Sequence, residues 1–177
     1  MISVKDKFPE FSLTANVKSN NINDAFKVIT NQTYSNKWLV LFTWPKDFTF
    51  VCPTEIIAFS DKNQEFLDSK AQLLGCSFDS EFVHLAWRES NPGIGEVSFP
   101  MLSDMKRELC TSLGIVDPDS GAPQRATIIV DPEGIVRFVY VTDESIGRNP
   151  DEVLRVLQAL QSGGLCPVNW KKGEKNL

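Results

Sequence analysis

A cysteine that could act as a nucleophile lies between an apolar run and a proline, in the segment LFTWPKDFTFVCPTE. The residue before a proline avoids the helical region, whereas proline itself favours the first helical turn. The pair Cys52–Pro53 therefore predicts that Cys52 lies at or beside the N-cap of a helix. Unpaired N–H groups and the positive end of the helix dipole favour a thiolate there. Because reactive cysteines occupy electropositive, partly exposed places, we expect Cys52 to be partly exposed.

Three neighbours of Cys52 have side chains that suit a polar substrate or the thiolate. The hydroxyl of Thr49, three residues before Cys52, can both donate and accept a hydrogen bond. Pro45 offers an apolar wall without a backbone N–H. Glu55, three residues after Cys52, would oppose a thiolate, and its presence makes sense if an arginine lies between the two groups.

The remaining thiols and the single histidine restrict the possible chemistry. No two of the four cysteines, which include Cys76, Cys110 and Cys166, have the two-residue spacing of thioredoxin motifs or zinc ribbons. A structural zinc site would need nearly all the thiols to converge, and one histidine excludes a histidine-rich catalytic zinc site. We interpret Cys76 and Cys110 as core or neutral residues. His84 is interpreted as a packed or surface residue rather than a base.

Composition narrows the class of protein further. The 177 residues suffice for one well-buried domain. No apolar run approaches the roughly 20 residues of a membrane span, and the start lacks the pattern of a secretory signal, so we expect a cytoplasmic protein. The net charge is −5, and only Lys171, Lys172 and Lys175 form a basic group. Nucleic-acid binding, which needs a concentrated basic face, is not expected.

Hydrophobic periodicity and turn residues predict alternating strands and helices. The predicted elements are strands at 37–43 and 71–77, helices at 53–69, 81–90 and 104–113, a hairpin over 126–141, and a last helix after Asn149. Asp104 is expected to cap the third helix, and Asn91, Pro92 and Gly93 to end the second. This order predicts an α/β sandwich with a mixed sheet, in thioredoxin-like order, although other α/β folds share the pattern. We expect one domain over residues 1–161 and a C-terminal arm over 162–177 that carries Cys166.

The segment WPKDFTFVCPTE resembles the Pro-x-x-x-Thr-x-x-Cys signature of the peroxiredoxin family. Its flanking residues resemble the two-cysteine branch of the family, and within that branch the bacterial alkyl hydroperoxide reductase C group. The similarity extends over most of the chain, through FPEFSLTA, LLGCSFDSEFVHLAW, FPMLSDMKREL, GAPQRATIIVDPEG, IGRNPDEVLRVLQALQ and LCPVNW. The resemblance implies a thioredoxin-like sandwich, a central mixed sheet flanked by helices, with peroxiredoxin elaborations.

The resemblance also implies roles for seven residues. They are Cys52 as the peroxidatic cysteine, Pro45, Thr49 and Arg125 as the rest of the peroxide site, Glu55 as the group that orients Arg125, Trp87 as part of the surrounding shell, and Cys166 as the resolving cysteine. In the family the resolving cysteine comes from the partner subunit.

The implied reaction begins with attack of the Cys52 thiolate on a hydroperoxide and gives a sulfenic acid. Condensation with Cys166 then forms an intersubunit disulfide, for which the first helical turn at Cys52 must unwind. The resemblance implies a homodimer, with a ring of five dimers as a possible assembly. No cofactor or metal is expected, so electrons must come from thioredoxin, a flavoprotein reductase or a small disulfide reductase.

Other functions remain open from the residues alone. A general thiol–disulfide oxidoreductase shares the fold but is disfavoured by the missing two-residue-spaced cysteine pair, and a cysteine hydrolase would need a supported histidine base. A chaperone-like oligomer is a non-enzymatic alternative. The loop NPGIGE only partly resembles the Gly-Gly-Leu-Gly loop of hyperoxidation-sensitive relatives, and the chain ends eleven residues after Cys166. On these departures we expect resistance to over-oxidation.

Overall fold

The computed structural model describes residues 1–177 and contains one seven-stranded mixed sheet. The strands are β1 (Ser12–Asn16), β2 (Phe26–Thr30), β3 (Trp38–Thr43), β4 (Ala71–Ser77), β5 (Met101–Ser103), β6 (Arg125–Val130) and β7 (Val136–Thr142). The helices are α1 (Val51–Asp61), α2 (Asn63–Asp68), α3 (Glu81–Ser90), α4 (Pro92–Gly95), α5 (Glu108–Leu113) and α6 (Pro150–Ser162), with a 3₁₀ turn at Ile22–Asp24. No helix has the length and apolar character that a membrane span requires.

The sheet has the order β2-β1-β5-β4-β3-β6-β7. Its three central strands are parallel, since β4 pairs in parallel with both β3 and β5. The outer strands β6 and β7 run antiparallel, as do the pairings of β1 with β2 and β5. This arrangement confirms the predicted thioredoxin-like sandwich with a mixed sheet.

The sheet separates two apolar cores because successive side chains of a strand point to opposite faces. Val40 and Phe42 of β3 pack with α1, α3 and α6 on one face, whereas Leu39 and Leu41 pack with α5 and β1 on the other. All seven residues of β4 are buried. Strands covered on both faces read as continuous apolar runs, which is why β3 and β4 could be found in the sequence.

Several predicted elements are confirmed. The strand at 71–77 and the helix at 81–90 have the predicted bounds, and the hairpin over 126–141 is the β6–β7 pair. The last helix begins as predicted, because the side chain of Asn149 accepts a hydrogen bond from the N–H of Asp151. It ends at Gly163, whose φ of 72° is the left-handed conformation that glycine adopts most easily.

The predicted helix at 53–69 is wrong in its length. The structure has two helices, α1 from Val51 and α2 from Asn63, and Lys62 lies between them as the C-cap of one and the N-cap of the other. The predicted stop at Asn91 is also incomplete. The side chain of Asn91 accepts hydrogen bonds from the N–H groups of Gly93 and Ile94, so that a new short helix, α4, starts where α3 ends.

The predicted helix at 104–113 begins later than expected. Its first residue is Glu108, and Arg107 before it has a positive φ of 59°. Asp104 still receives the free N–H groups of the helix start, since its carboxylate accepts from Leu109 at 3.3 Å and from Cys110 at 2.8 Å. It therefore caps α5 from outside the helix. Strands β1, β2 and β5 were not predicted; all three are short and two lie at or near an edge of the sheet.

The segment after α6 contains no further helix or strand and packs against α6. Trp170 is buried in this segment. Its carbonyl accepts a hydrogen bond from Arg155 Nη1 at 3.2 Å, and its indole N–H donates to the carbonyl of Glu174 at 3.1 Å. These contacts hold the arm, residues 162–177, close to the helix that precedes it.

Gly75 in the centre of β4 lies under the ring of Trp44. A Cβ atom at this position would stand 2.6 Å from Cζ3 of Trp44 and 3.2 Å from Cε2 of Phe99. Glycine is required here by space, and the close contact fixes Trp44 at the end of β3, directly before the loop that begins with Pro45.

We expect Gly75→Ala to lower the free energy of unfolding by about 1–3 kcal/mol, because overpacking a dense core forces side chains or backbone to shift. Urea denaturation of the variant and of the unchanged protein measures the difference. The cost should be smaller in a Trp44→Phe background, since phenylalanine lacks the second ring that carries Cζ3. An equal cost in both backgrounds would contradict this account of Gly75.

Candidate active site

Cys52 is the second residue of α1 and is almost fully buried, with 1% of its surface exposed. The helix begins two residues earlier than the proline predicted, at Val51, and Phe50 is the N-cap. Cys52 nevertheless lies in the first helical turn, whose N–H groups have no partner within the helix. The expectation of partial exposure is wrong, because the side chain belongs to the core cluster that also contains Ile56 and Phe59.

A pocket of about 550 Å³ leads from the surface to Cys52. Its lining comes from the loop before α1, from the start of β6 and from the segment after β7; the residues are Pro45, Lys46, Thr49, Phe50, Val51, Cys52, Arg125, Asp143, Glu144 and Ser145. The structure thus brings together Cys52, Thr49, Pro45 and Arg125 around one cavity. A small polar molecule in this cavity could meet the sulfur without any change in the fold.

Arg125 connects the thiol to the carboxylate of Glu55. Its Nη1 lies 3.4 Å from the sulfur of Cys52 and donates to Oε2 of Glu55 at 2.7 Å. Its Nε donates to the carbonyl of Glu144 at 2.6 Å, which fixes the plane of the guanidinium. The sequence predicted an arginine between Cys52 and Glu55, because the carboxylate alone would oppose a thiolate, and Arg125 lies at this position.

Arg148 is a second buried arginine on Glu55, and the sequence reasoning missed it. Its Nε and backbone N–H donate to Oε1 of Glu55 at 2.7 and 2.8 Å, and its Nη2 donates to Oε2 at 3.0 Å. Nη1 reaches the carbonyl of Ala126 at 2.6 Å. The only signal was an arginine in the segment IGRNPDEV, and its partner Glu55 is 93 residues away in the chain.

The charges of the site balance when the thiol is ionised. Burial raises the pKa of Glu55, but the hydrogen bonds and charge of Arg148, together with the charge of Arg125, outweigh burial and hold this pKa below its usual range. Burial lowers the pKa of Arg125, yet its contacts with Cys52 and Glu55 raise it overall. Two guanidinium groups and one carboxylate leave one positive charge, which a thiolate at Cys52 would neutralise.

Thr49 and Pro45 line the pocket without contacting the sulfur through a hydrogen bond. The hydroxyl of Thr49 donates a hydrogen bond to the carbonyl of Lys46 at 3.0 Å, so its oxygen remains free to accept a hydrogen bond from a bound molecule. Pro45 is buried and forms an apolar part of the wall.

Trp87 lies behind the site rather than in it. It is buried in the same core cluster as Cys52, and its ring packs against Phe48 with the ring centres 5.7 Å apart. Phe48 belongs to the loop between β3 and α1. Trp87 therefore supports this loop from the core side and does not line the pocket.

His84 is fully buried and fixes the same loop. Its Nδ1 lies 2.6 Å from Oδ2 of Asp47, and its Nε2 lies 3.2 Å from the carbonyl of Leu102. Asp47 also accepts from the indole N–H of Trp44 at 2.7 Å. Burial raises the pKa of Asp47, and its contacts with His84 only partly offset this. His84 is a packed residue, as the sequence indicated, and it does not line the pocket.

Cys166 lies apart from this site within one chain. Its sulfur is 3.2 Å from Oγ of Ser162 at the end of α6, and it lines a separate groove formed by α6 and the arm. All four cysteines are free thiols. The structure of one chain therefore does not bring Cys166 to Cys52.

Comparison with known proteins shows that the chain is similar to members of one protein family. Residues 4–139 match the family model described as the AhpC/TSA family. The chain is similar, over its whole length, to the protein named alkyl hydroperoxide reductase C of Mycolicibacterium smegmatis, with 49% identity and 94% of that protein covered.

Two solved structures extend the similarity to three dimensions. The structure of Mycobacterium tuberculosis AhpC superposes with a TM-score of 0.89 at 49% identity, covering 97% of this chain and 99% of the other. A reduced 2-Cys peroxiredoxin of Plasmodium vivax superposes with a TM-score of 0.90 at 34% identity, covering 98% and 91%.

The buried charges predict how stability depends on pH. Because its folded pKa is lowered, Glu55 contributes a stability that is complete above its ordinary value of 4.5 and is lost as the pH falls through the folded pKa. Glu55→Gln should remove this contribution and cost about 3–5 kcal/mol at neutral pH, since two buried guanidinium groups then lack their anion. Urea denaturation at neutral pH and at several values below pH 4.5 measures both effects.

The matched control is Glu152→Gln, which removes a partly exposed carboxylate paired with Arg155. A surface ion pair of this kind contributes at most about 1 kcal/mol. If Glu55→Gln loses stability with acid as steeply as the unchanged protein, Glu55 is not the group responsible.

Proposed function

The chain belongs to the AhpC/TSA family, and we propose that it is a thiol-dependent peroxidase that uses Cys52 to reduce hydrogen peroxide and organic hydroperoxides. The observation that carries the proposal is the position of one guanidinium. Arg125 lies 3.4 Å from the sulfur of Cys52, at the inner end of an open pocket, and is held there by Glu55 and the carbonyl of Glu144. A sulfur beside a fixed positive charge favours the thiolate, which is the nucleophile.

In the first step the Cys52 thiolate attacks the terminal oxygen of the hydroperoxide. The S–O bond forms as the O–O bond breaks, and the oxygen that leaves takes a proton to become water or an alcohol. The negative charge that moves onto this oxygen faces Arg125 and the N–H groups at the start of α1. The hydroxyl of Thr49 donates its proton to the backbone carbonyl of Lys46, so its oxygen can accept a hydrogen bond from the hydroperoxide.

The walls of the pocket suit both classes of peroxide. The cavity is open at the surface, so hydrogen peroxide needs no special path. Phe50 at its rim is 93% exposed and offers an apolar surface to the alkyl part of an organic hydroperoxide. Pro45 adds a second apolar contact deeper in the pocket.

In the second step the Cys52 sulfenic acid condenses with Cys166 of a second copy of the chain and releases water. The length of α6 supports this assignment to a second copy. The helix starts two residues after Arg148, beside Glu55, and its last residue contacts Cys166. Thirteen helical residues span about 20 Å, which is far more than a disulfide can bridge.

This cycle requires a dimer and an external source of electrons. The strand β7 is an edge of the sheet and offers its unpaired backbone groups to a second copy, which supports a homodimer. A ring of five such dimers is the larger assembly that we propose. The reductant is a disulfide-reducing protein, namely thioredoxin, a flavoprotein reductase or a small disulfide reductase, and a cytoplasmic location suits such a partner.

We assign residues 1–161 to the peroxidase domain and residues 162–177 to an arm that delivers Cys166. The contacts between the arm and α6 support this division, because only a few hydrogen bonds, such as that from Arg155 to Trp170, hold the arm in place. In this scheme Trp87 and Glu55 do not contact the peroxide. Trp87 supports the loop between β3 and α1, and Glu55 orients Arg125.

Two cysteine variants test the cycle. Cys52→Ser should abolish peroxidase activity, because the nucleophile is lost. Cys166→Ser should keep the first oxidation but accumulate sulfenic acid and form no intersubunit disulfide. Stopped-flow oxidation by hydrogen peroxide and by an organic hydroperoxide, trapping of the sulfenic acid followed by mass spectrometry, and non-reducing gels measure these outcomes. Activity in Cys52→Ser, or normal disulfide formation in Cys166→Ser, would refute the assignment.

A third variant tests the guanidinium. Arg125→Lys keeps the charge but cannot contact Cys52, Glu55 and Glu144 at once, so the second-order rate of oxidation should fall by about 100-fold. Arg137→Lys is the matched control, since Arg137 pairs with Asp131 outside the pocket and the rate should not change. Equal rates for both variants would show that the position of Arg125 is not essential.

A further inference from the structure

Three side chains form a second cluster on the face of the sheet opposite to Cys52. Cys76 comes from β4, Cys110 from α5 and Asp104 from the connection between β5 and α5. The two sulfur atoms and a carboxylate oxygen all lie within 4.8 Å of one another. All three residues are fully buried, among the apolar residues of the core that contains Leu74 and Leu102. The proposed peroxidase cycle uses none of them.

Apolar packing and helix capping do not account for the whole cluster. Each oxygen of Asp104 accepts one backbone N–H, from Leu109 and Cys110, and each therefore keeps a second lone pair. Asp104 forms no ion pair with any lysine, arginine or histidine. A fully buried carboxylate without a counter-charge is costly, which makes the absence of a cationic side chain unusual.

The two thiols lie close to each other and to this carboxylate. Hydrogen bonding to Cys76 is the main cause that raises the pKa of Cys110, followed by burial, by the charge of Cys76, and by the charge and hydrogen bond of Asp104. The same neighbours that oppose a bare thiolate would stabilise a positive ion.

We propose that Cys76, Cys110 and Asp104 form a binding site for a thiophilic divalent cation of the zinc type. Two sulfur ligands select zinc and similar soft ions over magnesium or calcium, and a carboxylate oxygen is an accepted third ligand. In a tetrahedral site with metal–sulfur bonds of about 2.3 Å, two sulfur ligands of one ion are about 3.8 Å apart. The three ligand atoms lie within 4.8 Å of one another, so they reach that spacing after shifts of at most about 1 Å.

Binding exchanges protons for the metal ion. The cation displaces the protons of both thiols, forms two metal–sulfur bonds and one metal–oxygen bond, and two protons leave for solvent. Because binding releases protons from the thiols, the affinity should fall as the pH decreases.

Entry to the site requires local opening, and α5 is the element that can open. It has six residues, and Arg107 before it holds a left-handed backbone conformation. A short helix that depends on tertiary contacts opens more easily than the strands of the sheet. The ion is therefore expected to bind slowly to the folded chain and readily when it is present during refolding.

The test uses reduced protein with Cys52→Ser and Cys166→Ser, so that only Cys76 and Cys110 remain as thiols. The probe is Cd²⁺, with Zn²⁺ as competitor, added during refolding or over a long incubation. Native mass spectrometry should show one ion per chain, with an ultraviolet sulfur-to-cadmium absorption, the release of two protons, and a higher melting temperature. A folded parent protein that binds no ion, or binds one without the sulfur absorption, would overturn the proposal.

Two further variants locate the ion. Cys110→Ala should abolish the absorption, and Asp104→Asn should weaken binding by more than about 10-fold. Asp131→Asn is the matched control, because Asp131 is also buried and accepts two backbone N–H groups but has no thiol beside it. Full affinity in Asp104→Asn would also overturn it.

Discussion

The ion pairs of Glu55 with Arg125 and Arg148 are the interaction on which the candidate site depends. A single buried carboxylate holds two guanidinium groups that come from the start of β6 and from the residue before the cap of α6. It joins α1, β6 and α6 at one point. Without this anion, two buried positive charges would repel each other beside the thiol. The carboxylate of Glu55 therefore both joins these elements of the fold and sets the charge of the pocket.

Local patterns predicted the parts of the structure that local physics determines. The apolar runs of β3 and β4 reflect burial on both faces, and Asn149 with Pro150 marks the start of α6 because those residue types satisfy a helix N-terminus. The break at Lys62 could not be foreseen, since helical periodicity continues across it. The short strands β1 and β5 depend on pairing partners that are distant in the sequence.

The site was predictable to the extent that its residues are close in the chain. Pro45, Thr49, Cys52 and Glu55 lie within eleven residues, and their spacing suggested both the nucleophile and the need for an arginine. Arg148 was missed because its role comes from a contact made only in three dimensions. The burial of Cys52 was missed for the same reason: a helix start indicates charge, whereas exposure depends on what packs around it.

The burial of Cys52 at the first turn of α1 has a consequence for speed. A sulfur that reacts inside the protein but must meet a second thiol outside has to leave its position once in every cycle. In the proposed cycle the first turn of α1 has to open each time, so its opening rate would set a ceiling on turnover that no excess of peroxide can lift. A more stable first turn would stabilise the Cys52 thiolate better but would open more slowly and so lower turnover. The segment FVCPTE therefore has to balance the reactivity of Cys52 against the rate at which this turn opens.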